Sequence, residues 1–463
     1  MPGGSPTSRA AQFNAPFFSA LDSASTKAIK DDPNYYALDP QSLVTTSTIH
    51  SFSTGTGSSI YTSLAPLLES TSYELILVTC FWARSPSLDT LNEILLKLSD
   101  KAVRRGSGQI IIRLCFSSLS LFQKLFHTQS VNGQSYPSSV WAKTLGLPDP
   151  SALPGLDIRV KSVFLLPFSV MHPKFMIVDR RTVVLPSCNI SWEEWFEGCI
   201  TCSGPIVHQF VHFYTQFWER NERRNSTPVN LVVDLQANRS TRFSSSAWES
   251  EVMDIPTVFL PGPHRKNPAF QPFAAADKTV APPTPLNTFI LTLLARAEKS
   301  VQIQTPNLTS PPVLSALLKA LARGINVRIL TSEKLMVLEQ LVTAGTTTNR
   351  CIKKLIRRYE ALSSPNDEEA SIALPRPGRL SISYFSAAGG PKKKGEEFGE
   401  PQQSHLKMMV VDDEVLVLGS GNLDRASWYT SQELGVAFFD RLLVERVKGC
   451  VEDAMKVRTR VVY

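Results

Sequence analysis

Hydrophobic and polar residues follow one rhythm twice along this chain. In the first half, Ile60–Leu68 repeats apolar residues at helical spacing, and Glu74–Cys80 is an apolar run of strand length. Ser87–Arg105 sets Leu88, Leu91, Ile94, Leu95 and Leu98 on one helical face, and Gly108–Cys115 and Ile158–Leu166 read as further strands. The order returns later. Leu286–Arg296 is helical, Val301–Gln304 is a strand, and Pro311–Ala322 is a helix capped by Gly324. Ile325–Leu330 and Leu380–Phe385 are the next strands. Strands that alternate with helices predict the α/β class for each half.

Each half reaches a matching polar signature. The first is His172-x-Lys174-x4-Asp179, followed by Pro186-Ser187-Cys188-Asn189. The second is His405-x-Lys407-x4-Asp412, followed by Gly419-Ser420-Gly421-Asn422. Their spacing is identical, and the offset from His172 to His405 is 233 residues. An acid, a short strand and a helix follow each signature. They are Glu197, Cys199–Cys202 and Ile206–Trp218 in one copy, and Glu433, Gly435–Phe439 and Arg441–Met455 in the other. This is an internal duplication.

The expected organisation is an N-terminal extension over 1–41 with a short helix near Ala10–Leu21. A first half follows over 42–220, a linker or insert over 221–285, and a second half over 286–463. Ser, Asn, Arg and Pro crowd Asn225–Ser246, and Ala281–Pro285 has the stiffness of a linker, whereas Thr257–Leu260 reads as a strand opening the second half. A polar insert, Ala387–Gln403, stands immediately before His405 and reads as a mobile loop.

Composition narrows the class. With 43% hydrophobic and 19% charged residues, the chain is globular, not disordered. A net charge of +7 favours anionic partners without choosing among them. Seven scattered cysteines suggest reduced thiols, and Cys199-x-x-Cys202, lacking a second pair, reads as strand interior. No apolar run reaches the ~18 residues of a membrane span, and no signal-peptide core opens the chain. The expected location is intracellular, in the cytoplasm or on a membrane surface. Arg9, with no acid before Asp22, leaves a mitochondrial address open.

Strand alternation would set His172 and Lys174 on one face and Asp179 on the other, with His405, Lys407 and Asp412 likewise. Imidazole and ammonium would then share a site, and the aspartates would anchor structure. Such a set, present twice, suits attack on a phosphodiester. One histidine attacks phosphorus and the other protonates the leaving alkoxide, while lysine, asparagine and serine donors hold the oxygens. Neither metal nor cofactor is needed, and Glu197 and Glu433 are the candidates to orient a histidine.

These paired signatures resemble those of the phospholipase D superfamily. The second copy, Gly419-Ser420-Gly421-Asn422-Leu423-Asp424-Arg425-Ala426-Ser427, is most similar to the cardiolipin synthase and bacterial phospholipase D branch. The resemblance spans about Ser42–Val451. It implies two subdomains, each a mixed sheet flanked by helices, with pseudo-twofold symmetry and one active site at their interface. It also implies a metal-independent route through a phosphohistidine, with His172 as nucleophile and His405 as acid and base. Lys174, Lys407, Asn189 and Asn422 would bind phosphate, assisted by Ser187 and Ser420. The first copy departs from the pattern at Pro186, where glycine is usual, because proline offers no N–H.

The superfamily includes lipid enzymes and nucleases. Phe164–Phe168, Trp192, Trp195, Phe196, Trp428 and Tyr429 would suit an interfacial lipid, and Glu193 and Glu194 would repel a polyanion. A phospholipid substrate with peripheral membrane contact is therefore favoured over nucleic acid. A non-catalytic phosphate-binding or membrane-binding relative is the third reading.

Overall fold

A computed structural model describes residues 6–22, 31–106, 108–119, 127–128, 130–165, 169–220, 251–264, 280–363, 376–392 and 400–463. The first stretch of elements is α1 (Pro6–Asp22), β1 (Val44–Gly55), α2 (Gly57–Glu69), β2 (Glu74–Phe81), α3 (Pro86–Arg105), β3 (Ile110–Ser118), β4 (Gln134–Ser135) and β5 (Leu156–Ser162). Next come β6 (Phe164–Leu165), β7 (Ser169–Val170), β8 (Phe175–Val178), β9 (Thr182–Pro186), β10 (Trp195–Ser203), α4 (Ile206–Phe217) and β11 (Val252–Gly262). Then follow α5 (Pro285–Arg296), β12 (Ser300–Thr305), α6 (Pro311–Ala322), β13 (Asn326–Thr331), α7 (Val337–Ala344) and α8 (Thr348–Ser363). The chain ends with β14 (Leu380–Phe385), β15 (Gln403–Ser404), β16 (Met408–Val411), β17 (Val415–Gly419), α9 (Arg425–Tyr429), β18 (Glu433–Phe439), α10 (Arg441–Met455) and β19 (Thr459–Val461).

The chain forms two compact units. The smaller comprises Thr46–Glu193 and Gly198–Asp254; the larger comprises Met1–Thr45, Glu194–Glu197 and Ile255–Tyr463. Most of the linker expected over 221–285 lies outside the described residues, as do Leu166–Phe168 and residues 393–399 of the polar insert.

In the smaller unit the strands run β4-β5-β3-β2-β8-β9-β10. The β5–β3 and β3–β2 pairs are parallel and the others antiparallel. The core forms because α3 presents Leu91, Ile94, Leu95 and Leu98 inward, all fully buried, each worth about 1.5–3 kcal/mol. Ser85 caps the start of α3 by accepting from the Leu88 N–H, and Gly106 ends it at φ 66°, a left-handed conformation that glycine adopts without strain. His50 of β1 ties into this unit, with Nε2 2.7 Å from Ser203 Oγ and Nδ1 2.8 Å from Glu251 Oε1.

The larger unit repeats the plan. Its strands run β19-β14-β13-β12-β16-β17-β18-β11, again with two parallel pairs, β14–β13 and β13–β12. The registers correspond residue for residue. Leu75 faces Val178 as Val301 faces Val411, and Pro186 faces Cys199 as Gly419 faces Gly435. Helix α1 belongs to this unit, where Phe13 lies 4.7 Å from Phe289 and 5.8 Å from Phe439 between ring centres.

Candidate functional site

The signatures lie differently from the strand alternation expected. β8 starts at Phe175 and β16 at Met408, so His172 and Lys174, and His405 and Lys407, occupy the irregular segments before the strands. What holds each pair is a bond within the motif. Lys174 Nζ donates to its own His172 carbonyl at 2.9 Å, and Lys407 Nζ donates to the His405 carbonyl at 2.7 Å. Lys174 is only 1% exposed, and among the described residues that carbonyl is its one hydrogen-bond acceptor. A buried ammonium with two further N–H donors is a strong attractor for an anion.

The signature aspartates sit in tight turns and bind backbone N–H groups. Asp179 and Arg180 have φ of 50° and 52°, and Asp412 and Asp413 have 57° and 55°. Each pair is the centre of a two-residue hairpin turn, closed by Arg181 N–H to the Val178 carbonyl at 2.9 Å and by Glu414 N–H to the Val411 carbonyl at 3.1 Å. Aspartate tolerates this conformation better than most side chains. From it the Asp179 carboxylate accepts from the N–H groups of Ser72, Tyr73 and Glu74 at 2.7–2.9 Å. The Asp412 carboxylate accepts from Glu298, Lys299 and Ser300 at 2.7–3.2 Å. Each aspartate thereby fixes the start of the neighbouring central strand, β2 or β12.

The glutamates divide unexpectedly. Glu197, which follows the first signature in sequence, belongs to the larger unit, and its Oε1 lies 2.8 Å from Nδ1 of His405. The second copy's histidine thus has the first copy's glutamate as its hydrogen-bond partner. Both side chains are 3% exposed. The Trp195 ring covers the same imidazole at 4.6 Å between centres, and the His405 N–H donates to the Phe196 carbonyl at 2.9 Å. Glu433 accepts from Ser420 Oγ at 2.5 Å. His172 is half-buried, in contrast to His405 at 2% exposure.

The serines are engaged with neighbouring strands. Ser187 Oγ accepts from the Gly198 N–H at 2.9 Å, and Ser420 Oγ accepts from the Leu434 N–H at 3.0 Å. The asparagines differ. Asn189 Oδ1 accepts from the Phe81 N–H at 3.2 Å, whereas Asn422 Nδ2 donates to Asp424 at 3.0 Å. Asn422 Oδ1 is buried without a hydrogen-bond partner among the described residues. Gly419 is required where it stands, because a Cβ there would lie 2.3 Å from the Leu434 carbonyl oxygen. Pro186 occupies the matching place opposite Cys199.

Several residues expected near a site entrance are core. Phe164, Leu165, Phe196 and Trp428 are buried, and of the named tryptophans Trp192 is the exposed one, at 61%. Glu194 is paired with Lys392 at 2.8 Å, which removes much of its repulsion toward a polyanion. Lys392 belongs to the polar insert, whose described ends are tied down. The Lys392 N–H donates to Gln402, the Gln402 N–H donates to the Glu194 carbonyl, and Glu400 binds Arg458 through two bonds of 2.8 Å. Cys199 and Cys202 are buried strand residues, and burial pushes the Cys202 thiol up to about 12, far from reactive. Among the described residues no group of three His, Cys, Asp or Glu could hold a metal. No helix among them is long and apolar enough to cross a membrane.

Residues 290–453 match the family model described as "Cardiolipin synthase, PLD-like domain". The fold resembles phosphatidylserine synthase from Haemophilus influenzae Rd KW20, with a TM-score of 0.52 and 15% identity over 91% of this chain and 90% of that one. The phospholipase D family member Nuc from Salmonella typhimurium aligns with a TM-score of 0.27 and 17% identity, over 38% of this chain and 90% of that one. No curated protein sequence matches the chain.

Proposed function

We propose that this chain is a phosphodiesterase of the phospholipase D superfamily acting on phospholipids, by hydrolysis or by phosphatidyl transfer, through a covalent phosphohistidine; the family-model match over residues 290–453 and the paired signatures support this reading. The observation that supports this most is Lys174, a buried cation fixed on the backbone of a histidine, with two donors left for an anion among the described residues. The matched domain and the Haemophilus neighbour carry the names of phospholipid synthases, which favours lipid as the substrate class.

In the proposed cycle His172 attacks phosphorus, forming an N–P bond as the P–O bond to the leaving group breaks. The proton on His405 passes to the departing alkoxide oxygen. His405 then takes a proton from water or an acceptor alcohol, whose oxygen attacks phosphorus and breaks the N–P bond. Glu197, at 2.8 Å from Nδ1, keeps a proton on that nitrogen and leaves Nε2 for the reaction. Glu433 is assigned as the second histidine-orienting carboxylate. Lys174 and Lys407, with Asn189 and Asn422, stabilise the charge on the non-bridging oxygens. Ser187 and Ser420 assist by holding the asparagine-bearing turns.

The test is acceptor chemistry. Incubation with phosphatidylglycerol or phosphatidylcholine and a primary alcohol should give a phosphatidyl-alcohol. Cleavage of single-stranded DNA without lipid turnover would replace this reading with a nuclease. Inactivity on both would leave a phosphate-binding relative as the better account. Trapping by denaturation in alkali, where the N–P bond persists, should place the phosphatidyl group on residue 172.

A further inference from the structure

We infer that helices α7 and α8 of the larger unit form a docking face for the surface of an anionic lipid bilayer. The inference does not depend on the proposed reaction. It starts from an inverted pattern on α7. Leu338, Leu341 and Val342, at spacings that share one helical face, are 80%, 38% and 48% exposed. The residue turned inward is polar: Gln340 is 3% exposed.

Gln340 holds that orientation. Its Nε2 donates to the Leu335 carbonyl at 2.6 Å, and its Oε1 accepts from Thr348 N–H at 2.6 Å and Thr348 Oγ1 at 2.9 Å. Thr348 Oγ1 in turn accepts from the Leu308 N–H at 3.0 Å. The corner between the helices is therefore pinned by buried hydrogen bonds, and the leucines are held outward.

Helix α8 supplies the charge. Its inner face buries Cys351, Ile352 and Leu355, while Arg350, Lys353, Lys354, Arg357 and Arg358 are exposed. None of these five cations makes an ion pair among the described residues, and Glu360 is the lone acid in the helix. On the preceding segment, Glu333 is engaged by Arg460 at 2.8 Å, and Glu339 is the one acid of α7.

Exposed leucines on one helix and, on the next, exposed cations without an ion pair among the described residues fit a membrane surface. The apolar side chains enter the headgroup boundary while the cations meet anionic lipid. Nucleic acid would use the cations but not the leucines, and a second copy of this face would be repelled by the same charges.

Flotation of the full chain with vesicles tests this directly. Wild type should bind vesicles of equal parts phosphatidylglycerol and phosphatidylcholine, and bind pure phosphatidylcholine far less. The double variant R357E/R358E should weaken anionic-vesicle binding by roughly tenfold or more. L338D/L341D should weaken it comparably, with the melting temperature retained because both positions are exposed. Wild-type binding that ignores lipid charge would overturn the inference, and so would binding within about twofold of wild type in both variants. Loss of single-stranded DNA binding in R357E/R358E with vesicle binding unchanged would also overturn it, and assign the basic face to nucleic acid.

Discussion

His405 is buried beneath Trp195 with a carboxylate on its Nδ1, whereas His172, in the same place in the other copy, is half-buried. Around them the two frames are the same. Strand registers correspond, each lysine returns to its own histidine's carbonyl, and each aspartate caps the start of a central strand from a turn at positive φ. The shared signature is therefore largely a device for building one backbone shape twice. What differs comes from residues outside it: Trp195, Glu197, the insert before His405, and Gly419 against Pro186. An imidazole sheltered and oriented by a carboxylate suits proton transfer, and a more open one suits attack on phosphorus.

The largest effects should come from the signature histidines and lysines. His405→Ala and Lys407→Ala should each lower the rate by at least ~10²-fold, about 2.7 kcal/mol of barrier. His172→Ala should in addition abolish the trapped phosphoenzyme. A His405→Ala protein with wild-type turnover would remove the assignment. Next come the aspartates, which should act on stability. Asp412→Ala leaves three backbone N–H groups without their acceptor at a site 5% exposed, and should destabilise by about 2–3 kcal/mol. Asp179→Ala should lose less, about 1–2 kcal/mol, because Tyr73, one of its donors, is 63% exposed and water can replace the carboxylate. Equal losses in urea melts would mean the two frames are closer in strength than their burial indicates.

Much of the duplicated frame was legible because apolar periodicity is local. Pro311–Ala322, Leu380–Phe385 and Arg441–Met455 match the expected bounds, and the other paired strands and helices differ by a few residues at their ends. The signatures were legible because identical spacing in two copies is hard to produce by chance. Three things were not. The strand start at Phe175 and Met408 depends on the lysine-to-carbonyl bond, which alternation does not encode. The pairing of Glu197 with His405 spans 208 positions and two copies, so sequence order did not indicate which histidine it meets. The association of α1 with the larger unit rests on Phe13 and Phe17 meeting Phe289, a contact without local signal.

The Glu197 pairing gives a sharper test of the asymmetry. Glu197→Gln keeps the shape but removes the negative charge beside His405, which disfavours the imidazolium. Turnover should fall about tenfold. The alkaline limb of the pH–rate profile should move to lower pH, because less protonated His405 is available to the leaving group. A merely structural glutamate would lower activity without moving that limb.

The smallest effect concerns the insert that only the second copy carries before its histidine. Arg458 donates two bonds to Glu400, and these bonds hold the Glu400 carboxyl below its ordinary range. A depressed carboxyl stabilises the fold only while it is ionised. The contribution is therefore complete above the ordinary glutamate value of about 4.3 and is lost as pH falls below it through the folded-state value. Because both side chains are partly exposed, at 32% and 23%, solvent screening limits the pair to below about 1 kcal/mol. Urea midpoints of wild type and Glu400→Gln should differ by that small amount at pH 7 and converge in acid. A difference that stays constant into acid would show that the glutamate's packing, and not its charge, holds the insert beside His405.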